Sequence, residues 1–373
     1  MRRIISSFTV ISFVIFHIIS GEPRFAVQNG TSCGLCHLNP TGGDLRSDYG
    51  ISIVSLNDLP ADKNFTSNYS GIINEFITFG ADFRVQSLIQ KEEFEEDKKI
   101  SVALFPMQLD IYGQISVLSN LAMYIKHDHL RNNQEFWAIF TFADGSNAVR
   151  IGKMIPDYGI KLADHTAFTR GGNIRQRVGL NKEGLFFNPT RIIPTGIEGT
   201  FNYNDLVISG GIYNRFLDGS DQSYGESESI LEKTVSAKLQ YFHDGEKIRK
   251  MVGISYLKEN KISFGGIFGG LNYGKWTWMG ELDLSKNWVS TLTSLASFSS
   301  LSFDIKKGWV AEGRYDFFDE NIDKTGKAIS RFVLGLSIFP IPFVELKLQA
   351  RITSVAEGSP TEPLFLIQIH TWL

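Results

Sequence analysis

From residue 72 onward the chain falls into windows of about 8 to 13 residues in which apolar and polar positions alternate, separated by polar or glycine-containing turns. The run Val344-Glu345-Leu346-Lys347-Leu348-Gln349-Ala350 shows the period. Val344, Leu346, Leu348 and Ala350 fall on one face and Glu345, Lys347 and Gln349 on the other, because successive side chains of a strand point to opposite sides. Phe136 to Phe142 and Val235 to Tyr241 read the same way. An apolar exterior around a polar interior suits a closed barrel in lipid, where an open sheet edge would leave backbone groups unpaired. About 16 windows between Ile72 and the C-terminus predict an all-β fold, a transmembrane antiparallel β-barrel wide enough for an aqueous channel or a plug. The alternating stretch from Phe365 to Leu373 is expected to close it. Aromatic residues near predicted strand ends, among them Trp276, Trp278, Trp309, Tyr315 to Phe318 and Trp372, are expected to form girdles at the two lipid interfaces.

The N-terminal part reads differently. Met1-Arg2-Arg3, an apolar run from Ile4 to Ile19 and the small pair Ser20-Gly21 have the order of a cleaved export signal over residues 1–21. Ser6, Ser7, Ser12 and His17 interrupt that run, which argues against a retained transmembrane anchor. Residues 22–65 are dense in turns, including Asn29-Gly30 and Asn39-Pro40-Thr41-Gly42-Gly43, and too poor in apolar residues to bury a core of their own. The barrel, residues 66–373, is expected to cover them. The longest break in the strand pattern, residues 156–195, carries Asp157, Asp164-His165-Thr166, Arg170, Arg175, Arg177 and Arg191. It reads either as an inward-folded constriction or as a solvated external loop. Glu92 to Glu96 and Asp218 to Glu232 read as solvated loops.

Composition narrows the chemistry. A net charge of −3 over 373 residues offers no basic surface for nucleic acid. The chain has only 2 cysteines, and both lie in Cys33-Gly34-Leu35-Cys36-His37. Two thiols at this spacing can add to the two vinyl groups of a haem while the next residue ligates the iron. The motif therefore predicts one haem c, with Cys33 and Cys36 as thioethers and His37 as the proximal iron ligand. A redox disulfide would need a βαβ setting, and a zinc site would need further ligands that no second Cys-x-x-Cys supplies. For the other axial position Met107, Met123, Met154, Met251, Met279, His127, His129, His165 and His243 all qualify by chemistry. His165 is preferred because it lies in the long loop that could fold inward. Gly265-Gly266-Ile267-Phe268-Gly269-Gly270 sits in a strand pattern with no helix after it, so a nucleotide-binding reading fails. No Ser/His/Asp set or paired carboxylates stand out.

The order of these parts, with Pro23, Phe25 and Ala26 shortly before Cys33-x-x-Cys36-His37 and one barrel to the C-terminus, resembles the fused monohaem cytochrome–porins of bacterial outer membranes, known best from iron-oxidising bacteria. The resemblance implies an outer-membrane protein with its haem segment in the lumen or facing the periplasm. It also implies electron transfer between an extracellular redox substrate, Fe(II) among them, and a periplasmic c-type cytochrome or other electron carrier. Membrane lipid would be the remaining partner. A second reading is a solute or anion porin whose haem-bearing segment is a plug or sensor. A third is a haem enzyme with an open iron position.

Overall fold

The computed structural model describes residues 23–62, 64–65, 67–94, 97–130, 132–143, 145–162, 164, 166–172, 184, 193–217, 233–324, 328–355 and 362–373. The expected export signal lies outside them. Sixteen strands follow in chain order: β1 Ile77–Phe94, β2 Asp97–Leu118, β3 Leu121–Asp128, β4 Asn133–Phe142, β5 Asn147–Lys153, β6 Thr195–Tyr203, β7 Leu206–Tyr213 and β8 Thr234–Asp244, then β9 Ile248–Glu259, β10 Ile262–Tyr273, β11 Trp276–Lys286, β12 Thr293–Lys306, β13 Trp309–Asp319, β14 Ile329–Ile338, β15 Val344–Val355 and β16 Glu362–Trp372. Each pairs antiparallel with the next, and β1 pairs with β16 from Asp82 opposite Trp372 to Gln90 opposite Leu364. The sheet is a closed barrel, which removes its edges.

The expected alternation holds. On β9, Val252, Ile254 and Tyr256 face outward while Met251, Ser255 and Leu257 are buried inside. The outer surface carries a belt of apolar side chains such as Leu104, Ile267 and Leu334. Trp276 and Trp278 are exposed on it, as expected of a girdle. Trp372 and Phe318 are not: both are wholly buried inside the barrel. Their strand positions share parity with the lumenal face, and residues that fill the lumen cover them.

The two ends of the barrel differ. At one end the connections are short, as at Asn204-Asp205, Gly274-Lys275 and Lys307-Gly308, and both the start of β1 and the end of β16 lie there. At the other end run the long connections, residues 154–194 after β5 and 214–233 after β7. Membrane barrels place short turns in the periplasm and long loops outside.

Both ends send chain into the lumen. From the short-turn end comes the N-terminal segment, with a helix α1 (Arg24–Asn29) and a wider helix α2 (Gly50–Asp58) of π type. Gly30, at φ 61°, caps α1 in the left-handed region and turns the chain toward the motif. Val27 of α1 is fully buried, and a Cβ on Gly270 of β10 would stand 2.5 Å from its side chain. One of the closely spaced β10 glycines therefore gives this helix its seat. On α2, Ile51 and Val54, with Leu59 just beyond, pack on Val310, Phe339, Phe343 and Trp372. From the long-loop end, Tyr158 and Phe168 join Phe216, Leu257, Phe264 and Phe318 in a second apolar cluster. Among the described residues chain thus enters the lumen from both sides, and the described part of the loop after β5 follows the inward-folded reading rather than the solvated one.

Candidate functional site

The motif residues form one turn of tight helix. The N–H groups of Cys36 and His37 both donate to the Cys33 carbonyl, at 3.2 and 3.1 Å. Positions i, i+3 and i+4 of such a turn share a side, so Cys33, Cys36 and His37 present one face. That face lines a lumenal cavity of about 220 Å³.

The chain then folds back to hold the turn. Ser47 N–H donates to the Cys36 carbonyl at 3.0 Å, Leu38 N–H to the Leu45 carbonyl at 3.0 Å, and His37 bridges to Arg46. Between them Asn39-Pro40-Thr41-Gly42-Gly43 makes the reversal, with Gly42 N–H donating to the Asn39 carbonyl at 2.9 Å. Gly42 sits at φ 84°, and a Cβ there would lie 2.8 Å from the Cys33 Cβ. At Gly50 a Cβ would stand 2.2 Å from the Cys36 carbonyl oxygen. Backbone cannot yield at that range, so α2 starts beside Cys36 only with glycine there.

Barrel residues fix this loop in place. Arg150 of β5 donates to Asn39 Oδ1 at 2.7 Å and pairs with Glu198. Lys126 of β3 sits 2.6 Å from Asp44 and 3.1 Å from Asp110. Leu45 is buried against Tyr112, Tyr124 and Trp137. Lys161, from the loop after β5, donates to the Gly42 carbonyl. The chain entering from one end and the loop entering from the other therefore meet beside the cysteines.

Electrostatics follow from this setting. Cys33, Cys36 and His37 are half-buried and line the cavity, while Gly34 and Leu35 between the cysteines are exposed. Desolvation, then Arg46 and Lys161, lower the His37 imidazole to about 3, so it is neutral at physiological pH. Desolvation and the neighbouring Cys33 push the Cys36 thiol up to about 11, and desolvation raises Cys33 as well. The two thiols are not joined to each other. His37 Nδ1 is buried with no hydrogen-bond partner among the described residues. A neutral imidazole and two protonated thiols facing one cavity fit the demands of a covalently attached haem. Among the described residues no group of three or more His, Cys, Asp or Glu is placed to hold a free metal ion.

Of the candidates for the second axial position, Met107 alone lines this cavity among the described residues. Met123 is on the outer surface, Met154 is buried beside Trp137, and Met251 and Met279 lie in the cluster around Val27. His127 and His129 face each other at 6.0 Å near the β3–β4 turn, and His243 is exposed. His165 lies outside the described residues. Its neighbours Asp164 and Thr166 border a second cavity of about 70 Å³, not the one at His37.

The loop after β5 is tied to the barrel wall by buried ion pairs. Arg170 lies 2.8 Å from Glu281 and 3.6 Å from Asp283, Asp157 lies 2.9 Å from Lys238, and Asp164 lies 2.7 Å from Arg314 and 3.2 Å from Arg351. Arg175, Arg177 and Arg191 lie outside the described residues. Most cations that line the cavities, Arg46, Arg84, Lys126, Arg314, Lys347 and Arg351, come from the N-terminal segment and the strands, and Lys161 from the loop after β5 joins them. Sequence reading had not singled these out, although their alternation with apolar residues on β1, β3, β13 and β15 was the available signal.

No family model matches the chain, and no curated protein matches it in sequence. Solved structures match its fold. OprB of Pseudomonas putida aligns with a TM-score of 0.55 at 7% identity, over 80% of this chain and 94% of that chain. An anion-selective porin from Comamonas acidovorans aligns at 0.53 and 11% identity, over 80% and 99%. Outer-membrane expressed OmpT of Vibrio cholerae aligns at 0.51 and 9%, over 81% and 99%. The shared feature is the porin-like barrel.

Proposed function

We propose that this chain is an outer-membrane barrel that holds one haem c in its lumen and passes single electrons between an extracellular donor or acceptor and a periplasmic carrier. One observation carries the reading: Cys33, Cys36 and His37 open onto one cavity where chain from both ends of the barrel meets. Each thiol would add across one vinyl group, forming a carbon–sulfur bond on one carbon while the hydrogen goes to the other, with no net oxidation or reduction. Neutral His37 would ligate the iron. The cations of Arg46 and Arg84 on the cavity wall would balance the carboxylates that a haem carries. A bound haem supplies a reversible one-electron couple, whose potential the axial ligands and the surrounding burial set. The chain's own contribution is to exclude water and to hold the cofactor within the height of the membrane, about 25 Å, so that one centre can serve both faces. The test is a pyridine haemochrome spectrum on denatured protein from cells competent in cytochrome maturation. Covalent haem is expected in the parent and loss or weakening in Cys36→Ala. Absence of covalent haem in the parent sinks the proposal.

A second reading, a solute or anion porin with a plug, is favoured by the likeness to an anion-selective porin and by Arg314, Arg331 and Arg351 on the inner wall. Planar-bilayer recordings separate the two. Steady conductance through the full chain supports the porin, and a closed barrel supports the conduit.

A further inference from the structure

The alternation along β2 changes parity once. Ile100, Val102 and Leu104 point outward at even positions, whereas further on Ile111 and Ile115 point outward at odd positions and Asp110 and Tyr112 are buried inside. The change falls at Met107. Pro106 pairs with Val85 and Gln108 with Arg84, which leaves Met107 as the extra residue of a β-bulge. In an unbroken strand Met107 and Gln108 would point to opposite faces: the parity set by Leu104 turns Met107 inward, and the parity set by Asp110 turns Gln108 inward. With the bulge, both line the cavity that holds Cys33, Cys36 and His37. Bulges commonly serve to re-aim a side chain beside a site.

We infer that Met107 is the second axial ligand of the iron in a haem attached at Cys33 and Cys36 and bound by His37. The assignment rests on the haem reading above. Among the described residues, Met107 is the one thioether on this cavity, and no second histidine lines it. His370 is buried too, but it is held between Asp82 at 3.3 Å and Glu345 at 3.9 Å. The amines on the cavity are engaged: Lys126 with Asp44 and Asp110, and Lys161 with the Gly42 carbonyl. A thioether sulfur is neutral, costs little to bury and is a familiar ligand of cytochrome iron, where it raises the reduction potential.

The experiment uses haem-loaded full-length protein and the variants Met107→Leu, Met107→Ala and Met279→Leu. The parent and Met279→Leu should show the far-red absorption of thioether sulfur bound to ferric iron and should not bind carbon monoxide when reduced. Both Met107 variants should lose that absorption, gain carbon monoxide binding and shift to a lower midpoint potential. Covalent haem should persist in all four. If the parent carries haem without that absorption, or if Met107→Leu keeps it, the Met107 assignment falls and the haem reading stands. If the denatured parent carries no haem, both fall.

Discussion

Replacing Arg170 by Met should release the loop after β5 from the lumen without opening the barrel wall. Arg170 Nη2 lies 2.8 and 3.0 Å from the two oxygens of Glu281 and also donates to the Ile160 carbonyl at 2.7 Å, while Nη1 donates to the Thr169 carbonyl at 2.6 Å. Glu281 is buried on β11, and Asp283 beside it lies 3.6 Å from the same guanidinium. Removing one partner of a buried pair leaves the other charge without compensation, at a cost of about 3–5 kcal/mol. At 1.4 kcal/mol per tenfold, the open population of the loop should rise by roughly 140- to 3,700-fold. The readout is amide hydrogen exchange in membrane-embedded protein. Gly159 N–H, donated to Ser255 Oγ at 2.8 Å, and Gly172 N–H, donated to the Ala167 carbonyl at 3.0 Å, should lose protection. Strand amides such as those of β10 should keep theirs, since the ladder does not involve the loop. Arg249→Met provides the contrast, because its pair with Asp244 is open to solvent and such pairs contribute less than about 1 kcal/mol. If Arg170→Met alters Gly159 and Gly172 no more than Arg249→Met does, buried ion pairing is not what holds the loop inward.

Further expectations concern the same two intruding segments. Although burial opposes it, Arg351, Arg314 and Arg331 hold the Asp164 carboxyl well below its ordinary value of 3.8. A depressed carboxyl stabilises the fold above that ordinary value and loses the contribution as pH falls through the folded-state value. Loop protection should therefore be constant from neutral pH down to about pH 4 and fall in stronger acid, whereas Asp164→Asn should be weaker at neutral pH and lack the acid step. Trp372→Ala removes a fully buried ring whose indole N–H donates to Ser55 Oγ at 3.0 Å. It should loosen the N-terminal segment by about 3–5 kcal/mol, seen as faster proteolysis at residues 50–60 in an intact barrel. Gly42→Ala meets both a φ of 84° and the Cys33 Cβ, so it should cost at least about 1 kcal/mol and reduce haem incorporation. Unchanged haem content there would mean that the reversal after His37 does not position Cys33.

The strand alternation alone determined much of this protein. Val344 to Ala350 shows why: the period of two is a local property of extended backbone, and its apolar half has to meet lipid. The Cys33, Cys36 and His37 set was also legible, because a helical turn brings those positions to one face whatever surrounds it. Tertiary structure decided what no local rule carries. Trp372 read as an interfacial aromatic, yet it lies inside because α2 covers it. The loop after β5 could have gone either way until Glu281, Lys238 and Arg314, distant in sequence, supplied partners for its buried charges. Met107 is the sharpest case. Counting by twos from Leu104 sends Met107 inward and Gln108 toward lipid, counting from Asp110 does the reverse, and only the one-residue slip between β1 and β2 lets both face the cavity, because a bulge is a property of two paired strands and not of either alone.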